Sequence, residues 1–360
     1  MERFRKLWDV QAELSNPEPV NADITKAAGK AHGPEWQSTT DFHFFSVDDV
    51  VQRDFARPLW QRVGRSISTT WDYASSGTAA SFLRHAWRFF LYFAYPPLSL
   101  LLTVLAAFLI GWALAEYSFL LGAGAFIVTI YLLIQFFWRR YFVLHLMDLW
   151  SFSRDYIHRD RADIDAKLGR LADEICTALK NKSYDEVVLV GHSTGGALIL
   201  DAAARALEQD ADIAARTGSF QILTVGSTAL KIGLHPAAKW FRDRVASLCA
   251  NEHVLWTEFQ CRTDIINFFD TDPAELMDAK QPSRPNVPFV RRIRVRFMVD
   301  ANTLSRIRKN FFRVHYQFVF GNSLKYYYDF PAICFGPKFL WQRAREAAEV
   351  PQSLLPEANP

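Results

Sequence analysis

The sequence predicts an α/β fold in which a mostly parallel sheet carries helices on both faces and a transmembrane helical hairpin is inserted. Strand patterns alternate with helical patterns after residue 160, as βαβ units require. A glycine-rich turn at residues 191–196 joins an apolar strand to a helix. Two long apolar blocks lie between Arg88 and Arg139. The 360 residues suffice for one large core plus such an insertion.

The spacing of the apolar residues predicts the individual elements. The predicted strands are Thr39–Val47, Glu186–Val190, Ser219–Val225, Val254–Gln260 and an edge strand at Arg291–Val299. The predicted helices are Arg57–Tyr73, Ala162–Asn181, a helix from Ala197 to near Gln209, and Pro236–Cys249. The first of these is amphipathic, with Trp60, Val63, Ile67 and Trp71 on one side. Its basic residues Arg57, Arg62 and Arg65 face either anionic headgroups or solvent.

The apolar blocks Leu91–Leu114 and Phe119–Trp138 are each long enough to cross a bilayer core of ~30 Å. The connection between them carries a single charge, Glu116. Arginines flank the hairpin on its outer sides, so the positive-inside rule puts both termini in the cytoplasm and the chain in the inner or plasma membrane. The alternatives are a re-entrant hairpin in one leaflet and a buried hairpin in a soluble core.

Composition narrows the classes of function. The net charge is +3 and no basic run with interleaved aromatics occurs, so we expect no nucleic-acid partner. The four cysteines have no metal-ligand spacing and are expected to be free, buried thiols in a reducing compartment. We therefore expect no metal and no cofactor. The N-terminal residues lack the apolar core of a secretory signal.

The sequence Gly191-His192-Ser193-Thr194-Gly195-Gly196 has the form of a strand, a sharp turn and a helix with serine at the apex. Such an elbow exposes the serine oxygen, and Gly191 and Gly195 provide space for the tight turn. The Thr194 N–H, at the start of the helix, is a predicted oxyanion donor. The alternative is a βα turn in which Ser193 is only a helix cap.

A serine nucleophile needs an imidazole base and a carboxylate that orients it, and chains with this elbow supply them in the order serine, acid, histidine. Of the histidines after Ser193, His235 comes too early and His253 lies at the amino end of a strand. His315, beyond the last predicted strand, is the predicted base. In the loop after the strand Val254–Gln260, Asp264 is the aspartate nearest the strand end and is the predicted acid, with Asp270 and Asp272 as alternatives. Asp272-Pro273 also has the form of a helix start.

The elbow hexapeptide resembles that of α/β-hydrolase lipases and esterases. Thr224-Val225-Gly226-Ser227 resembles a strand end of lipase-like members. The segment Arg313-Val314-His315-Tyr316-Gln317 resembles the histidine segment of bacterial membrane-associated hydrolases. The resemblance covers roughly residues 160–335 and implies a hydrolase of the α/β-hydrolase superfamily. Such enzymes take a second oxyanion donor from a glycine-rich loop after an early strand, whereas His32-Gly33 precedes the first convincing strand. Either another N–H serves, or the recorded start omits that strand and loop.

The predicted function is a membrane-anchored serine hydrolase that cleaves an ester or thioester through an acyl-serine intermediate. Its predicted partners are the bilayer and a lipid or other acyl-ester substrate. Acyl transfer and a non-catalytic membrane-anchored interaction protein are the alternatives. The predicted organisation is an N-terminal part of the hydrolase domain (1–88), the hairpin (89–140), the catalytic core (141–340) and a flexible tail (341–360).

Overall fold

The computed structural model describes residues 1–346 and forms two compact units. Unit 1 combines Met1–Val47 with the chain from Ala162 onward, and unit 2 is Asp48–Arg161. The domain boundaries at residues 88, 140 and 340 stay predictions. Of the predicted flexible tail, residues 347–360 lie outside the described residues.

Unit 1 opens with a helix and an antiparallel sheet. These are α1 (Glu2–Trp8), β1 (Gln11–Leu14), β2 (Glu18–Pro19), β3 (Ile24–Gly33) and β4 (Trp36–Phe45). The strand β3 is the centre of this sheet and pairs with each of the other three strands. The predicted strand Thr39–Val47 is confirmed for residues 39–45, which belong to β4, and is wrong for the last two residues; the other three strands were not predicted.

Unit 2 is helical. It contains α2 (Asp48–Phe55), α3 (Leu59–Ser75), α4 (Thr78–His85), α5 (Trp87–Ala115), α6 (Phe119–Leu132) and α7 (Val143–Ile157). The helix α6 continues into a π-helical turn, Leu133–Trp138. The helices α5 and α6 coincide with the two apolar blocks and form a hairpin. Within the described residues, α5 and the stretch Phe119–Trp138, which joins α6 to the π-helical turn, are the two helices long and apolar enough to cross a membrane.

Two arginines of α3 form ion pairs with α7, which the sequence did not predict. The expectation that they face headgroups or solvent is wrong for Arg62 and Arg65, because these two pair with Asp148 and Asp155 of α7. Arg57, just before the helix, pairs with Asp54. Carboxylates on neighbouring helices neutralise the guanidinium groups, so the charged side of α3 faces the interior of unit 2.

The second part of unit 1 contains a four-stranded parallel sheet. After α8 (Ala162–Asn181) come β5 (Val187–His192), α9 (Gly195–Gln209), β6 (Phe220–Val225), α10 (Ala229–Gly233), α11 (Lys239–Ala250), β7 (Val254–Cys261), α12 (Pro273–Leu276) and β8 (Phe289–Ile293). The strand order is β5-β6-β7-β8, and all three pairings are parallel. The carboxyl ends of the four strands therefore meet at one edge, where sites form in sheets of this kind.

Short helices complete unit 1: α13 (Val295–Met298), α14 (Ala301–Ile307), α15 (Phe311–Tyr316), α16 (Phe330–Phe335) and α17 (Leu340–Ala344). The predicted edge strand Arg291–Val299 is wrong beyond Ile293, where β8 ends. Phe297, Met298 and Val299 are all buried in the core beside the sheet. The partner strand β7 ends at Cys261, opposite Ile293, so the chain beyond Ile293 has no neighbouring strand to pair with and turns into a helix instead.

Candidate active site

Ser193 stands between β5 and α9 in the left-handed region of backbone conformation, with φ +57°. Its N–H donates to the Val225 carbonyl at the end of β6 (3.2 Å). Its own carbonyl accepts from the N–H groups of Gly196 (3.0 Å) and Thr228 (3.1 Å). The backbone is thus held on both sides, which is how a non-glycine residue persists in a strained conformation.

Two glycines make this turn possible. A Cβ added at Gly191 would lie 2.4 Å from the Gly195 carbonyl oxygen, and one at Gly196 would lie 2.3 Å from Ser227 Oγ. A Cβ at Gly195 would meet nothing within 4 Å. The close approaches in the elbow are therefore at Gly191 and Gly196, while Gly195 borders open space.

His315, in the last turn of α15, lies beside Asp264 in the loop after β7. The His315 Nδ1–H donates to Asp264 Oδ2 over 2.7 Å, and both side chains are almost completely buried. The other ring nitrogen, Nε2, is buried and has no hydrogen-bond partner among the described residues. The carboxylate holds the proton on Nδ1, which leaves the lone pair of Nε2 available to accept one.

Two residues next to the elbow position the His315 ring. The ring of His192 lies 4.4 Å from it, centroid to centroid, and His192 Nε2–H donates to the His315 carbonyl (3.2 Å). Burial lowers the pKa of His192 to about 3, so His192 is neutral. Gly226, at the end of β6, has φ +53°, and an added Cβ would lie 3.2 Å from His315 Cε1. His315 is thus packed against residues adjoining Ser193 on β5 and β6.

The other candidates have structural partners elsewhere. Asp270 pairs with Arg292 of β8. Asp272 caps α12 by accepting from Ala274 N (3.0 Å), so the predicted helix start is confirmed. Of the rejected histidines, His235 caps a short helical turn, accepting from Ala237 N, and His253 is exposed.

A residue that was not predicted from the sequence, Lys231, lies beside Thr194. The Nζ of Lys231, on α10, lies 3.3 Å from Thr194 Oγ1, and burial lowers the pKa of this amine to about 7. The only signal in the sequence is a lone cation within the apolar run Ala229–Gly233. His32 and Gly33 lie at the end of β3, in the antiparallel sheet, and not in the sheet that carries Ser193.

A parallel sheet with a serine at a strained strand-to-helix elbow, followed in the chain by a paired aspartate and histidine, defines the hydrolase class of α/β proteins. A model of the alpha/beta hydrolase family matches residues 111–316, more than half of the chain and a range that includes Ser193, Asp264 and His315. The chain belongs to the alpha/beta hydrolase family. No curated protein and no solved structure matches it.

Proposed function

We propose that this protein is a membrane-anchored serine hydrolase of the lipase or esterase type, with Ser193, His315 and Asp264 as its catalytic triad. The observation that carries the proposal is the hydrogen bonding of the two nitrogens of the His315 ring. Its Nδ1–H is fixed on the buried Asp264 carboxylate at 2.7 Å, and its Nε2 is buried without a partner among the described residues. A general base needs one ring nitrogen that can accept a proton, and the orienting carboxylate on Nδ1 leaves His315 Nε2 in that state.

The proposed reaction has two halves. Ser193 Oγ attacks the carbonyl carbon of an ester or thioester while His315 Nε2 takes its proton. The tetrahedral intermediate collapses to an acyl-serine, and the departing alcohol or thiol takes that proton from His315. Water then attacks the acyl-serine, again giving a proton to His315, and the acid departs as Ser193 recovers its proton.

Oxyanion stabilisation is proposed to come from the Thr194 N–H at the start of α9. The 15 residues of α9 direct the positive end of the helix dipole toward the position of the developing charge. Lys231 holds the Thr194 side chain, and because burial lowers its pKa to about 7, this amine loses its proton far more readily than an ordinary lysine.

Membrane anchoring is proposed from the distribution of side chains on α5 and α6. The buried side of α5 carries small residues at every fourth position, Ser99, Thr103, Ala107 and Gly111. Its exposed side carries large apolar residues, among them Leu101, Leu105, Phe108 and Trp112. Small residues inside and large apolar residues outside are typical of helices packed in lipid. Both termini are proposed to be cytoplasmic, because the arginines flank the hairpin on that side.

The hairpin is tightly packed where its helices approach. A Cβ added at Gly122 would lie 2.6 Å from the Gly111 carbonyl oxygen and 2.7 Å from Ala115 Cβ. Further along, Trp138 Nε1–H donates to Thr103 Oγ1 (2.9 Å), which satisfies two polar groups between apolar helices. An enzyme anchored in this way is suited to an acyl substrate drawn from lipid, so we propose a lipid ester or a long-chain thioester as the substrate class.

Labelling of the detergent-solubilised chain with a fluorophosphonate probe tests the proposed triad. Wild type is expected to be labelled, and Ser193→Ala and His315→Ala are expected not to be. Asp264→Asn and Asp270→Asn form a matched pair, since only the first removes the carboxylate that holds His315. Absence of labelling in folded wild type, or equal labelling of the two aspartate variants, would contradict the proposal.

A further inference from the structure

The outward side of α3 is apolar. Its exposed residues Trp60, Gly64, Ile67, Trp71 and Ala74 follow one another at helical spacing and form the outward stripe. The side chains of Trp60 and Trp71 are 73% and 74% exposed. No residue of the outward stripe carries a charge.

The inward side of α3 is largely polar, with one buried aromatic residue, Tyr73, near its C-terminal end. Arg62 and Arg65 pair with Asp148 and Asp155 of α7. On the same side, Thr69 Oγ1 lies 3.4 Å from Ser151 Oγ in the interior of unit 2. A helix of a water-soluble protein turns its apolar side inward, whereas α3 directs most of its polar side chains inward and an uncharged apolar stripe outward. Helices in membranes, in contrast, use polar side chains to hold one another and direct apolar ones to lipid.

The outward stripe is continuous with the apolar surface of α5. An apolar groove of about 230 Å³ runs between the two helices, with Ile67 and Trp71 on one wall and Pro97 and Leu100 on the other. The 29 residues of α5 are ~43 Å long, more than a ~30 Å bilayer core needs. Twenty residues counted back from Ala115 reach Pro96, so the groove lies at the depth where the proposed span enters the hydrocarbon.

We infer that α3 is a third membrane element, which lies in the plane of one leaflet with the outward stripe against lipid acyl chains. Trp60 and Trp71 are ~16 Å apart along the helix, and indole rings settle at headgroup level, which requires the helix axis to run along the interface. With 17 residues, or ~26 Å, α3 is too short to cross the core. The inference rests on the proposed anchoring by α5 and α6.

Three glycines allow a matched experiment. Added Cβ atoms at Gly64 on α3, Gly124 on α6 and Gly169 on α8 would each meet nothing within 4 Å, so a cysteine fits at all three. The variants Gly64→Cys, Gly124→Cys and Gly169→Cys are labelled with a nitroxide and reconstituted in phosphatidylcholine–phosphatidylglycerol vesicles. Collision with oxygen, which concentrates in lipid, is compared with collision with a water-soluble nickel chelate. The wild-type chain gives the background from native cysteines, which are buried or partly buried.

The oxygen-to-nickel ratio at position 64 is expected to match that at position 124 and to exceed that at position 169 several-fold. If position 64 behaves like position 169 while position 124 remains in lipid, α3 faces water and the inference is overturned, although the anchoring stands. If position 64 is shielded from both reagents, a second copy or another protein covers α3, and the inference is again overturned. If positions 64 and 124 both behave like position 169, the proposed anchoring fails and the inference fails with it.

Discussion

Replacement of Ser193 by glycine is expected to stabilise the protein while it abolishes labelling by the fluorophosphonate probe. Ser193 has φ +57°, where the Cβ of an L-residue clashes with the backbone. Glycine has no Cβ and adopts this conformation without strain. The proposed nucleophile therefore occupies a position at which it lowers the stability of the fold.

The expected size follows from two opposing contributions. Relief of the left-handed conformation favours the folded state by ~1–2 kcal/mol. The greater conformational freedom of glycine in the unfolded chain opposes this gain by about 0.4–1 kcal/mol. The middle of these ranges gives a net gain of about 0.5–1 kcal/mol, which corresponds to a rise in Tm of roughly 1 °C, because the entropy of unfolding of a chain of this size is ~0.75 kcal/mol/K.

Ser193→Ala is the matched control, because it removes the hydroxyl and keeps the Cβ. Both variants are expected to lose labelling, but only Ser193→Gly is expected to unfold at a higher temperature, as followed by tryptophan fluorescence in detergent. A Tm of Ser193→Gly at or below that of Ser193→Ala would refute the argument, because the strain at the elbow would then not come from the Cβ.

Three further outcomes are expected. Asp264→Asn slows acylation by roughly 10³–10⁴-fold in stopped-flow ester hydrolysis, because the base loses its orienting carboxylate; an effect below tenfold would contradict this. Burial raises the pKa of the Glu258 carboxyl in β7 from 4.5 to about 7. The folded state therefore holds this proton more tightly, and the resulting stability, present below pH ~4.5, is lost as the pH rises through about 7, with a slope of at most ~1.4 kcal/mol per pH unit. Glu258→Gln should flatten that part of the denaturation profile, and an unchanged profile would assign the slope to other groups. Gly122→Leu lowers the Tm in detergent while Gly124→Leu does not, because only the first side chain would enter the contact between α5 and α6; equal effects would argue against the close approach.

The parallel sheet could be predicted because its strands and helices have strong, distinct periodicities. Residues 187–190 are apolar and are followed at once by a glycine-rich turn, so local chemistry indicates the start of α9. The pairing of His315 with Asp264 agrees with the predicted partners, since the carboxyl end of β7 and the late histidine both meet the edge that holds Ser193. The sheet, the elbow and the pairing of Asp264 with His315 were predictable because each depends on a short segment of sequence or on the order of segments along the chain.

The antiparallel sheet could not be predicted in the same way. The sequence of β3, Ile24–Gly33, is rich in alanine, lysine and glycine, which have low strand propensity. Its strand conformation results from ten paired residues on β4 and from contacts with α1 and α16. These are tertiary interactions with parts of the chain up to about 300 residues away, so no local pattern indicates them.

The orientation of α3 also required the structure. Its amphipathic pattern was visible in the sequence, but the pattern does not say which side is buried. That depends on the carboxylates at Asp148 and Asp155, about 90 residues later, which pair with its arginines.

In the sequence, unit 2 lies between the two parts of unit 1. Residues 1–47 are therefore synthesised well before the later residues that they contact. Trp8 Nε1–H donates to Asp329, 321 residues later, and the hydroxyls of Ser38 and Thr40 donate to the carbonyls of residues 335 and 334. At roughly 5–20 residues per second, about 15–65 s pass between the synthesis of Trp8 and that of its partner. During this time the apolar surface formed by α1 and β3 has no cover from α16, and transiently exposed apolar surface of this kind is prone to aggregation. A nascent chain that stops before residue 329 is therefore expected to be a target for degradation, even though its parallel sheet and elbow are already complete.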